Sequence, residues 1–290
     1  MVSTCGLLGV SRQVYYRSNR SKQMRRQKAE QVVCMVLEVR GQMPRIGTRK
    51  LYYILEQRLK EIGVGRDKLF SILKANHLDI VPKRSYRTTT NSHHRFHKHK
   101  NLVEQLQLTR PEQVWASDIT YVGSRNRHNY LALVTDAYSK KVVGYDLSNT
   151  LSVEGTLRAL KMAVKQRMYN NEALIHHSDR GIQYCSDDYQ KLLARKKITC
   201  SMTESYDPYA NAVAERVNGI LKDEFQLEQY DVDTKTLKKL VKESVNIYNT
   251  KRPHYSCYML TPEQMHRQRG VKIRTYKKTD GFKASLESIS

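Results

Sequence analysis

The sequence is short of acids, of paired cysteines and of long apolar runs, and each shortage removes a class of protein. No apolar run approaches the twenty residues a membrane-spanning helix needs, and no signal peptide is evident, so the expectation is a cytoplasmic chain with no membrane partner. Five cysteines, Cys5, Cys34, Cys185, Cys200 and Cys257, are scattered without a CxxC pair. An odd, unpaired set suggests neither a disulfide framework nor a structural zinc site. Asp plus Glu number 28 against 51 Lys plus Arg, a formal charge of +23, which points to a polyanionic partner and to nucleic acid first. Hydrophobic residues make up 39% of the chain, enough for a well-formed core and too many for a mostly disordered one.

The chain changes character along its length. Residues 1–80 read as a helical DNA-binding region. Gly9 as a turn and Ser11 as an N-cap open a short helix at Arg12, and residues 21–39 form a separate basic, then apolar, helical pattern that breaks at Gly41 and Pro44. A fuller helix-turn-helix candidate follows. Residues 48–59 turn Leu51, Ile54 and Leu55 inward, Gly63 and Gly65 make the turn, and 66–76 turn Leu69, Phe70, Ile72 and Leu73 inward. Arg66 and Lys68 open that second helix as candidate DNA contacts. An ordinary helical hairpin has the same spacing.

Residues 81–107 read as a basic linker with almost no aliphatic side chains at first, and the histidines His93, His94, His97 and His99 belong to that charged stretch rather than to a zinc site. From 108 to 268 the pattern is α/β. Strands are expected at 113–122, 130–135, 141–145, 173–178 and 198–201, with helices at 153–168, 186–195, the run after Pro208, and 241–250. The order βββαβαβα places helices against a mixed sheet. Thr261 and Pro262 mark one more helix start. Residues 269–290 read as a loose, basic polar tail.

Three acids stand out. Asp118 lies inside the first strand, where a buried carboxylate is costly without a partner or a metal. Asp179 follows the fourth strand, and Glu215 lies on the helix after Pro208, with Asn211, Asn218 and Lys222 on the same polar face. Three carboxylates so placed suit two Mg2+ ions, with Mn2+ as a substitute, and the chemistry they support is in-line displacement at phosphorus. Lys222 is the candidate phosphate contact, joined by Asn211 and Asn218; Arg252 and His254, in KRPH, either contact phosphate as well or simply terminate the helix at 241–250. Trp115 faces away from Asp118 as core. Gln183, Tyr184, Tyr206 and Tyr209 are candidates to touch DNA or to pack.

These acids, with thirty-five residues between Asp179 and Glu215 and a lysine seven positions after the glutamate, resemble the DDE core of retroviral integrases and bacterial transposases. WASDITYV, HSDRGIQY, NAVAERVNGILKDE and YNTKRPHYSCYMLTPEQ are similar to the second-frame product of insertion-sequence family three. The resemblance implies a ribonuclease-H-like integrase core, magnesium dependence, nicking at element ends and strand transfer by the freed 3′-hydroxyl. Catalysis and metal binding would fall to Asp118, Asp179 and Glu215, and Lys222 would contact DNA. It further implies a homo-oligomer on DNA and an upstream-frame helix-turn-helix and leucine-zipper partner, since no heptad zipper is present here. A metal-dependent nuclease on the same fold and a non-catalytic DNA-binding product of a decayed element are the rival expectations.

Overall fold

The structure, a computed structural model, describes residues 9, 11–81, 99–104, 106–124, 128–203 and 212–271. These fall into two compact units, one within residues 1–83 and one within 84–290. No helix among the described residues is long and apolar enough to cross a membrane.

The first unit holds three helices, α1 (Arg12–Gln42), α2 (Thr48–Glu61) and α3 (Arg66–Ala75). Ser11 caps α1, its hydroxyl accepting from the Val14 N–H at 3.3 Å. One continuous helix replaces the two expected between Arg12 and Val39, because no glycine or proline interrupts residues 12–40. The small core is built from Val32 and Val36 of α1, Leu51, Leu55 and Leu59 of α2, and Leu69, Ile72 and Leu73 of α3. Phe70, expected inward, is exposed on the outer side of a helix too short to bury two faces. Gly63 takes a φ of +66° to turn α2 into α3, a conformation that suits glycine.

The second unit is built on a five-stranded sheet in the order β3-β2-β1-β4-β5. Its strands are β1 (Val114–Val122), β2 (Asn129–Asp136), β3 (Val142–Ser148), β4 (Leu174–Ser178) and β5 (Ile198–Met202). The first three pair antiparallel as the expected meander, and β4 and β5 join in parallel. Helices α4 (Val153–Lys165), α5 (Ile182–Cys185) and α6 (Asp187–Arg195) supply the connections. Trp115 is fully buried in a cluster with Val134, Val143, Leu160, Tyr189 and Leu193, so its reading as core holds. Gly144 lets α4 approach closely: a Cβ there would clash with the Ala159 carbonyl oxygen. Helix α7 (Ala212–Asp223) packs on β1 and β2, and α8 (Thr234–Thr250) on β3. That last helix starts at Asp233, whose carboxylate caps Thr236, two turns earlier than expected; the polar residues 234–240 hid its apolar stripe.

The short helix α9 (Pro262–His266) carries the expected cap, a full capping box between Thr261 and Gln264. Its His266 is buried, 3.5 Å from Glu112 and 3.6 Å from Asp136, both themselves buried. Burial alone lowers the histidine's pKa, but the two carboxylates outweigh it and the net shift is upward. The expected loose tail is partly docked. Arg269 pairs with Glu172 and lies over the Tyr169 ring, the Gly270 N–H donates to the Thr109 carbonyl, and the Val271 N–H donates to the Tyr138 hydroxyl.

Candidate active site

Strand register brings the first two acids together. In the parallel pair of β1 and β4, Ser117 lies opposite Ser178, so the next residues along each strand are Asp118 and Asp179. One stays in the sheet, the other starts the loop at the carboxyl end of β4, where α/β sheets gather ligand groups. Side-chain alternation then sends Trp115, Ser117 and Ile119 to the face under α4 and α6, and Asp118 to the face that α7 crosses. Glu215 enters from the first turn of α7 and remains exposed.

Each acid is held. Asp118 accepts from the Asn218 side-chain amide at 2.7 Å on Oδ2 and from the Ile119 N–H at 2.8 Å on Oδ1. Asp179 Oδ1 accepts from the Gly181 N–H at 3.0 Å, and a Cβ on Gly181 would stand 3.0 Å from that oxygen. Burial, then the charge of Asp179, and further the charge of Glu215, push the Asp118 carboxyl up to about 7. Glu215 is raised as well, by partial desolvation of its carboxyl at the foot of the helix and then by Asp179. Asp179 raises both of the others and Glu215 raises Asp118, so the three acids share one electrostatic site.

Among the described residues no three acid, histidine or cysteine side chains stand in a ready-made metal-ligating cluster. The groups that shift Asp118 most are two acids, a backbone N–H and a side-chain amide, none of them cationic. An all-oxygen donor set with surplus negative charge fits a hard divalent ion such as Mg2+ or Mn2+. The Asn218 Oδ1 atom is buried without a hydrogen-bond partner, one more oxygen close to Asp118.

Several expected DNA contacts find other work. Asn218, placed on a polar outer face by helical spacing, is 5% exposed and orients Asp118 instead. Arg252 is 1% exposed and forks onto Glu224, with Nε to Oε2 and Nη2 to Oε1 both at 2.7 Å. His254 is buried, its ring hydrogen-bonded to the Ser256 hydroxyl at 2.9 Å and its backbone N–H donating to the Leu260 carbonyl. Both therefore build the turn after α8 rather than face a phosphate. Tyr184 is buried too, and burial, with nearby Tyr189, Asp118 and Asp179, holds its phenol protonated. Lys222 remains partly exposed, and Arg66 and Lys68 are exposed on α3. Asn211, Tyr206, Tyr209, His93, His94 and His97 lie outside the described residues.

Residues 109–208 match a family model described as an integrase core domain, and residues 196–262 match a second model of the same description. An insertion element IS600 uncharacterized 31 kDa protein of Shigella sonnei is 34% identical over 265 residues, covering 89% of this chain and 95% of that protein. The transposase InsF for insertion sequence IS3fB of Escherichia coli K12 is 35% identical over 173 residues, 58% of this chain and 59% of that one. Among solved structures, the HTLV-2 integrase catalytic core domain in complex with magnesium aligns with TM-score 0.44 and 19% identity, over 55% of this chain and 98% of that one.

Proposed function

The chain belongs to the insertion-sequence family three transposases, which share an integrase core, and from that membership we propose a magnesium-dependent transposase that nicks DNA at the element's ends and joins the freed 3′-hydroxyl to target DNA. Asp118, Asp179 and Glu215 are the proposed metal ligands and catalytic residues. The observation that carries this is the parallel register of β1 and β4, which sets Asp118 beside Asp179 under the helix that brings in Glu215; the upward push of both neighbours on the Asp118 carboxyl agrees with it. When bound, divalent ions supply a nucleophilic oxygen at neutral pH and charge stabilisation at the scissile phosphate.

The protein's part is placement. Asn218 holds the Asp118 carboxyl by donating to Oδ2, and that hydrogen bond favours its ionised form. Gly181 does the same for Asp179 through its N–H and the space its missing side chain leaves. Lys222, seven positions after Glu215 on α7, is the proposed contact for a phosphate of the bound strand, as a single point charge. DNA is the proposed partner for both the element ends and the target, on a homo-oligomer, with an upstream-frame helix-turn-helix protein as a proposed fusion partner.

The test is incubation of the full chain, alone and with an upstream-frame product, with pre-cut element ends, Mg2+ and a supercoiled plasmid. Joined products support the reading. Hydrolysed ends without joining in either mixture would make it a nuclease, and DNA binding with neither product would leave a non-catalytic binder.

A further inference from the structure

The first part of α1, residues 12–31, is unlike any other helix of the chain. Every residue from 12 to 31 except Ser21 and Ala29 is exposed, and burial begins only at Val32. The segment carries seven cations, Arg12, Arg17, Arg20, Lys22, Arg25, Arg26 and Lys28, against one acid, Glu30. Among the described residues, Arg26 alone of the seven is ion-paired, with Glu30 one turn on. A helix that buries nothing here must meet its partner elsewhere or remain solvated.

The distribution of the charges decides which partner fits. At ~100° per residue the seven cations fall around the whole circumference of the helix, and the apolar Val14, Tyr15 and Met24 fall on different sides. Without an apolar stripe there is no seam for a second helix or for a protein groove. A helix lying along one phosphate strand would use the cations of one side only. A helix in the major groove of B-DNA has a phosphate strand on each flank and base edges beneath, so cations on several sides are satisfied together. That groove is about 12 Å wide and admits a helix. Twenty residues span about 30 Å, close to one turn of the duplex.

We infer that residues 12–31 form a basic arm that binds DNA by lying in the major groove, separate from the helix-turn-helix surface of α2 and α3. The inference rests on the transposase reading only for the identity of the polyanion as duplex DNA.

The experiment uses the full chain and duplex DNA carrying one element end. Arg17→Gln, Arg20→Gln, Arg25→Gln and Lys28→Gln are combined in one variant; glutamine keeps helix propensity while removing four charges. An equal-charge control combines Lys235→Gln, Lys238→Gln, Lys239→Gln and Lys242→Gln, all exposed on α8. Each phosphate contact contributes about 0.9 to the slope of log affinity against log salt, so the arm variant, four charges short, is expected to lose up to about 3.6. Methylation of guanine N7, a major-groove atom, is expected to interfere with wild-type and control binding and to lose part of its effect on the arm variant. A slope within half a unit of wild type, or an unchanged interference pattern, overturns the inference. Circular dichroism of the variant checks that its helix content is retained. Strand transfer by the wild type in the same buffer is scored separately: if it is present while the slope is unchanged, the arm fails and the transposase reading stands.

Discussion

Replacing Arg252 separates two accounts of the KRPH turn with one number. In the structure its guanidinium is 1% exposed, makes two 2.7 Å contacts with Glu224 and lies 5.7 Å over the Tyr248 ring. Glu224 follows directly on α7, the helix that carries Glu215, so the pair ties the end of that helix to the turn after α8. Removing one partner of a buried pair costs ~3–5 kcal/mol because the other charge is stranded. The Glu224 side chain keeps 14% of its exposure and regains some water, which places Arg252→Met at about 2–4 kcal/mol. In a unit of this size each kcal/mol moves Tm by about 2–4 °C, so a loss of roughly 5–15 °C is expected. Trp115, the single tryptophan, is fully buried in this unit, so its fluorescence during urea unfolding follows the catalytic unit alone. Arg252→Lys is expected to recover only part of the loss, since a point charge cannot reproduce the fork. The double variant Arg252→Met with Glu224→Leu is expected to be more stable than Arg252→Met by over 1 kcal/mol. If Arg252→Met leaves the urea midpoint unchanged while DNA affinity falls and the salt slope drops by about one, the clamp is wrong and the residue contacts phosphate after all.

Other expectations follow from the site and the buried network. Asp118→Asn, Asp179→Asn and Glu215→Gln are each expected to abolish nicking and joining while DNA binding by mobility shift persists; near-normal joining by any one would remove it from the site. Asn218→Ala is expected to lower strand transfer about 10–100-fold with the urea midpoint little moved, as the loss of an orienting partner does. Gly181→Ala, which presses a methyl against Asp179, is expected to lower the rate more than the stability, as read from single-turnover joining and unfolding together. His266 has a raised folded pKa, so the stability it adds is whole below its unfolded pKa, ordinarily about 6.5, and is lost as pH rises through the higher folded value. Asp136 and Glu112 have lowered folded values: burial raises them, but contact with His266 and hydrogen bonds outweigh it, so their contribution is present above the ordinary carboxylate range and lost as pH falls. A midpoint-against-pH curve that declines on both sides is expected, flattened on the alkaline side by His266→Asn; an unchanged alkaline limb would contradict it.

Much of the catalytic unit was legible because strand alternation and strand-end acids are local signals. The five strands appear where the β-branched runs placed them, and Asp118 was conspicuous as an acid inside such a run. Pairing was not legible: that Ser117 would face Ser178, bringing two acids 61 positions apart to one edge, depends on a parallel contact no short stretch encodes. Polar residues misled for a related reason. Asn218 and Arg252 look like surface side chains until their partners Asp118 and Glu224 are in place, because burial of a polar group depends on a contact distant in sequence. The spacing of Asn218 three positions after Glu215 was the one available signal that it faces the site. In the first unit, the continuity of α1 was missed because the basic residues 12–28 carry no apolar stripe to join them to the apolar part of the helix, although no glycine or proline interrupts residues 12–40.

The central claim is that Asp118, Asp179 and Glu215 grip divalent ions as one unit, and manganese binding tests it without any DNA chemistry. The free Mn2+ resonance is titrated with the full chain at pH 8, where Asp118, with its carboxyl near 7, is mostly ionised. Saturable binding by the wild type, weakened at least tenfold in each of Asp118→Asn, Asp179→Asn and Glu215→Gln, is the predicted result. Equal binding by wild type and all three variants would place the ions elsewhere and contradict the account.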